Sequence, residues 1–132
     1  MKIFILIFLL SLSISFAQNS KIAVITNPEI GAGSNATNLI QVVVDINNRQ
    51  NINHVVVIGN ITANGKFDEF IWAQEILDEL TAPYFIVGGD NDYLLSEGKG
   101  SEISLLWGDD KNIFNDKNYL LVCVDTFLPD FS

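Results

Sequence analysis

The chain has 132 residues, with 16 Asp and Glu against 7 Lys and Arg, a formal net charge of −9. That length holds one small domain, and that charge argues against nucleic acid and anionic membrane surfaces as partners. The single cysteine, Cys123, excludes an internal disulfide. The first segment reads as a leader rather than as part of the fold. Lys2 is followed by the apolar run Ile3 to Leu10, then by Ser11 to Ser15, and Ser15-Phe16-Ala17 offers small residues around a cut before Gln18. This three-part build predicts a signal peptide over 1–17 and a domain over 18–132. The apolar run is shorter than the roughly 20 residues a membrane span needs. The expected location is therefore secreted or periplasmic, with no membrane contact after cleavage.

Lys21 to Thr26 is a continuous apolar run, which predicts a strand buried on both faces. Ser34 and Asn35 can cap a helix from Ala36 to about Asn47, with Leu39, Ile40, Val43, Val44 and Ile46 as its apolar face. Gly31-Ala32-Gly33 reads as a tight turn, because it lacks both phosphate-loop fingerprints. His54 to Ile58 is a second buried strand, with His54 itself in a structural or surface role. Gly65 precedes a second helix from about Phe67 to Leu80. Phe67, Phe70, Ile71, Ile76, Leu77 and Leu80 form its inner face, and Glu69, Glu75, Asp78 and Glu79 its solvated face.

Pro83 ends that pattern, and Tyr84 to Val87 is a third strand. Strand, helix, strand, helix, strand predicts an α/β fold with parallel pairing and right-handed crossovers. Ser101 can cap a short helix through Trp107. Asn112 to Phe114 and Tyr119 to Val124 suggest a hairpin, an antiparallel edge that makes the sheet mixed but mostly parallel. Trp72 and Trp107 sit in helical patterns and are expected to pack. Cys123, in Leu121-Val122-Cys123-Val124, is expected to be an inert core thiol.

Each of the three principal strands ends in a polar stop. These are Thr26-Asn27-Pro28-Glu29, Gly59-Asn60-Ile61-Thr62 and Gly88-Gly89-Asp90-Asn91-Asp92. Loops that follow parallel strands share one end of a sheet, where ligands of open α/β folds bind. Asn27, Glu29, Asn60, Asp90 and Asn91 are thus expected in one crevice.

The order and spacing of these stops resemble the calcineurin-like metallophosphoesterases, which carry Asp-x-His, Gly-Asp and Gly-Asn-His-Asp/Glu at such strand ends. Gly31, Thr62, Gly65 and Asp125-Thr126 are further points of similarity. The resemblance implies the N-terminal half of an αββα sandwich, a mixed and mostly parallel sheet with flanking helices, and it covers nearly all of 18–132. It implies two divalent metals (Mn, Fe or Zn) and a phosphoester substrate. It places Asn27 and Glu29 at the first metal, Asn60 at the bridge and Asp90 at the second metal. Asn91 stands at the general-acid position and Asp92 at the acid that orients it. Every ligand position differs from the family's residue.

The chemistry of those replacements matters. A bridging ligand between two dications about 3.5–4 Å apart must supply two anionic oxygens, and Asn60 supplies one neutral carbonyl. Asn91 cannot donate a catalytic proton, a role worth roughly 10²–10⁴-fold. Oxygen donors alone suit at best one weakly held Mg²⁺ or Ca²⁺. Three readings follow: an exported domain of this type with a degenerate metal centre, a metal-dependent hydrolase completed by residues beyond the chain end, and a small α/β binding domain.

Overall fold

The computed structural model describes residues 20–108, 113–115 and 119–123. The expected signal peptide, the hairpin turn and Asp125-Thr126 lie outside the described residues. The elements are β1 (Lys21–Thr26), α1 (Asn35–Asn47), β2 (Ile52–Gly59), α2 (Phe67–Leu77), β3 (Tyr84–Gly88), α3 (Asp90–Leu94), α4 (Ser101–Trp107), β4 (Ile113–Asn115) and β5 (Leu120–Val122). The first three strands form a parallel sheet in the order β1-β2-β3. The α/β class, the parallel pairing and the flanking helices are as the sequence predicts.

Because successive side chains of a strand point to opposite faces, the register decides which residues meet. Ala23 pairs with Val55 and Ile25 with Val57, and these pair in turn with Tyr84 and Ile86. This pleat builds the core with Leu39, Val43 and Ile46 of α1 and Phe70, Ala73, Ile76 and Leu77 of α2. Tyr93 and Ile103 complete it from the α3 and α4 side.

The opposite pleat differs from expectation. Ile22, Val24 and Ile58 are 37%, 58% and 41% exposed, so β1 is not buried on both faces. A run without polar residues reads as two-sided burial, but among the described residues the helices' apolar faces converge on one pleat. At the lower end of the open pleat His54 is buried. Its Nδ1 lies 2.6 Å from the Tyr119 hydroxyl, and its ring stacks on Phe85 at 6.2 Å.

Among the described residues β4 and β5 pair antiparallel as a separate two-stranded ladder, in place of the expected edge of a single mixed sheet. Tyr119 meets the sheet through the His54 side chain, and its hydroxyl also accepts a hydrogen bond from Ser20 Oγ at 3.3 Å. Cys123 follows β5, half-buried, and burial pushes its thiol up.

The second helix stops earlier than its apolar spacing predicts. Beyond Leu77 the amides of Glu79 and Leu80 bond to Ile76 and Leu77, a tighter turn than the α-helix. Asn47, at the end of α1, competes for this segment. Its Nδ2 donates to the Glu79 carbonyl at 2.8 Å, and its Oδ1 accepts the Thr81 amide at 2.9 Å. Two residues expected on the inner face or in packing are half-exposed instead, Phe67 at 50% and Trp72 at 47%. Trp107 does pack, and its indole donates to the Tyr84 hydroxyl at 2.9 Å. The start of α1 also differs. Ser34 makes no side-chain cap bond, and Asn35 Nδ2 reaches back to the Glu29 carbonyl at 3.3 Å.

Candidate functional site

The parallel ladder runs past the ends of β1 and β2. The Asn27 amide donates to Ile58, Glu29 to Asn60 and Ile30 to Ile61, and Ala63 donates back to Ile30. Asn27 and Glu29 both take left-handed backbone angles, φ 46°. Asn tolerates that region, whereas for Glu it is a strained state. The zigzag keeps their amides on the neighbouring loop and aims the Asn27 side chain across the gap.

Three asparagines then span the strand ends as a relay. Asn27 Oδ1 accepts the Asn60 amide at 3.0 Å. Asn60 Oδ1 accepts the Asn91 amide, also at 3.0 Å. Asn91 Nδ2 returns to the Ala63 carbonyl at 3.1 Å. Glycine is required beside this relay at two points. Gly59 has φ +92°, and the Asn27 side chain fills the place of a Cβ. A Cβ on Gly89 would lie 2.5 Å from the Asn60 backbone nitrogen.

Below the relay sits Asp92, with no exposed surface. Its Oδ2 accepts the Ile61 amide at 2.8 Å and the Gly89 amide at 2.9 Å. Its Oδ1 accepts the Thr62 amide at 2.9 Å and the Thr62 hydroxyl at 2.7 Å. Four donors thus converge on one carboxylate. Burial holds this carboxyl above its ordinary range, and the hydrogen bonds pull it back in part. Thr62 Oγ1 also accepts the Gly65 amide at 3.1 Å, which carries the clamp into the loop before α2.

Glu69 corrects a further expectation. Its helical position predicts the solvated face of the second helix, but it is buried. Its Oε2 accepts the Asn64 amide at 2.9 Å and its Oε1 the Asn64 side chain at 2.7 Å. A position in the first helical turn can reach back to the preceding loop, and no periodicity argument separates that from solvation. The Asp three residues after Gly89 follows the same N-terminal logic for α3, and it is the sequence signal for the Asp92 clamp.

All six expected site residues therefore gather at the strand ends, but with different tasks. Asn27, Asn60 and Asn91 link backbone to backbone. The Asp92 carboxylate is turned to Ile61, Thr62 and Gly89, and its hydrogen bonds do not include the Asn91 side chain. Glu29 is half-buried and Asp90 is exposed in the first turn of α3. Their carboxylates make no hydrogen bond among the described residues.

A dinuclear metal centre does not fit this donor set. The bridging position is a neutral amide whose oxygen already accepts the Asn91 amide. The Asn27 oxygen is engaged in the same way. Among the described residues, no three His, Cys, Asp or Glu side chains come together in a group that could hold a metal ion. The arrangement offers hydrogen-bonded order and two carboxylates, Glu29 and Asp90, that make no hydrogen bond among the described residues. No family model matches the chain, and no curated protein matches it.

Proposed function

We propose that the chain is an exported domain of the metallophosphoesterase type whose strand-end crevice no longer supports turnover and serves binding. One observation carries this reading. The oxygens of Asn27 and Asn60, at two of the expected ligand positions, accept backbone amides of the next loop at 3.0 Å. The exposed Ile22, Val24 and Ile58 on the second pleat also support the sandwich architecture, in which a further layer covers that face. The crevice then acts as a fixed frame that presents Glu29 and Asp90.

The test is hydrolysis of bis(p-nitrophenyl) phosphate by the purified chain with excess Mn²⁺. The expected result is no release above the protein-free blank. Loss of the bridge and of the general acid each removes orders of magnitude in rate. Turnover that co-elutes with the chain and is abolished by Asn60→Ala would overturn the reading.

A further inference from the structure

A second feature stands apart from the strand ends. α1 and α2 lie side by side over the sheet, and each turns a stripe of the same spacing toward the gap between them. On α1 the stripe runs through Ile40, Val43 and Val44 and ends at the polar Asn47. On α2 it runs through Trp72, Glu75 and Ile76, and Glu79 continues it just past the helix end. Spacings of i, i+3, i+4 and i+7 place each set on one helical face. Val43 and Ile76 are buried and form the floor of a groove of about 410 Å³. Ile40, Val44 and Trp72 form the walls and remain 47%, 54% and 47% exposed.

The two helices already bury their inner faces on the sheet, so these walls are a second apolar surface facing outward. Three large apolar side chains around one groove mark an interaction site better than the same residues scattered singly. Glu75 and Glu79 stand one helical turn apart on one rim, and the groove lining contains no basic residue. Each stripe spans about 10 Å, the rise of two helical turns. A third helix laid along the gap meets both stripes at once, the helix-in-groove mode of recognition.

Charge selects among helices. The chain's net charge of −9 repels an acidic segment. A second copy offers no basic helix either, because α1, α2, α3 and α4 contain no Lys or Arg. We propose that the α1–α2 groove docks a basic amphipathic helix of a partner protein. The partner's apolar stripe rests on Val43, Ile76 and Trp72, and its Lys or Arg side chains face Glu75 and Glu79.

The probe is a fluorescently labelled peptide of about 15 residues, long enough to form a helix on binding. It carries Leu at i, i+3, i+4 and i+7 and Lys on one flank, and binding is read by anisotropy. The native chain should bind it, and both Glu79→Lys and Val44→Asp should weaken binding by about tenfold or more. Glu97→Lys makes the same charge change elsewhere on the surface and should alter binding by less than about twofold. All three sites are exposed, and circular dichroism melts check that each variant folds. Four outcomes would overturn the proposal. They are no binding to the native chain, equal loss in Glu97→Lys and Glu79→Lys, equal binding of a peptide with Glu in place of Lys, and displacement of the peptide by equimolar tryptamine.

Discussion

Asp92 is the residue on which the strand ends depend most. A carboxyl whose folded value is raised binds its proton more readily in the folded chain than in the unfolded one. Its contribution to stability is therefore largest below the ordinary carboxylate range and fades as pH rises through the folded value. The Asp92→Asn variant cannot titrate and turns an amide donor toward the Ile61 and Gly89 amides or the Thr62 pair. It should lose about 1–3 kcal/mol at pH 4, and its deficit relative to wild type should shrink as pH rises toward 7. Urea midpoints across that range measure the gap. A gap that widens with pH would mean that the four donors outweigh burial. The convergence of Asn27, Asn60 and Asn91 was legible in the sequence, because each follows a strand of one parallel sheet. Their partners were not. Asn and Asp serve equally as ligands, turn residues or amide acceptors, and only the distances across the strand gaps separate these uses.

At the scale of elements, the joint between α1 and α2 rests on Asn47. One side chain holds the Glu79 carbonyl and the Thr81 amide, so it secures both the end of α2 and the entry to β3. Thr81 Oγ1 adds a third bond to the same oxygen at 3.1 Å. Asn47→Ala should cost about 1–2 kcal/mol in urea denaturation, since these bonds are partly solvated. Hydrogen exchange should quicken at Thr81 while amides of β2 keep their protection. Equal loss of protection in both places would show that Asn47 supports the whole fold. The end of α2 at Leu77 is hidden from its apolar spacing for a related reason. Leu80 fits the apolar spacing and does pack against the core, but Asn47 lies 32 residues before its partner Glu79 and its competition is invisible to local periodicity. The burial of Glu69 is likewise outside the reach of helical periodicity, because its partner Asn64 precedes the helix.

For the molecule as a whole, the asymmetry of the sheet has the largest effect. One pleat is sealed by α1 and α2; on the other, among the described residues, Ile22, Val24 and Ile58 stay exposed while His54 and Val56 are buried. The strands and their order were legible from apolar runs divided by polar stops. The unequal cover of the two pleats was not, because Lys21 to Thr26 has the same composition whether one face or both are buried. The purified chain should bind a hydrophobic dye through this face. Val24→Lys, at a position 58% exposed, should weaken that signal and change stability by less than about 0.5 kcal/mol. An unchanged dye signal would place the dye elsewhere, with the α1–α2 groove as the next site to mutate.

The Asp92 clamp also bears on how the chain reaches this state. Ile61 and Thr62 are fixed by a residue about thirty positions later, after α2 and β3 have intervened. During synthesis the loop behind β2 is complete long before its acceptor has been made. Closing that span costs chain entropy before any contact returns it, so β1, α1 and β2 emerge with those amides still bonded to water. The crevice is therefore expected to assemble late, when β3 docks and brings the first turn of α3 with it, so that substitutions at Asp92 speed unfolding more than they slow folding.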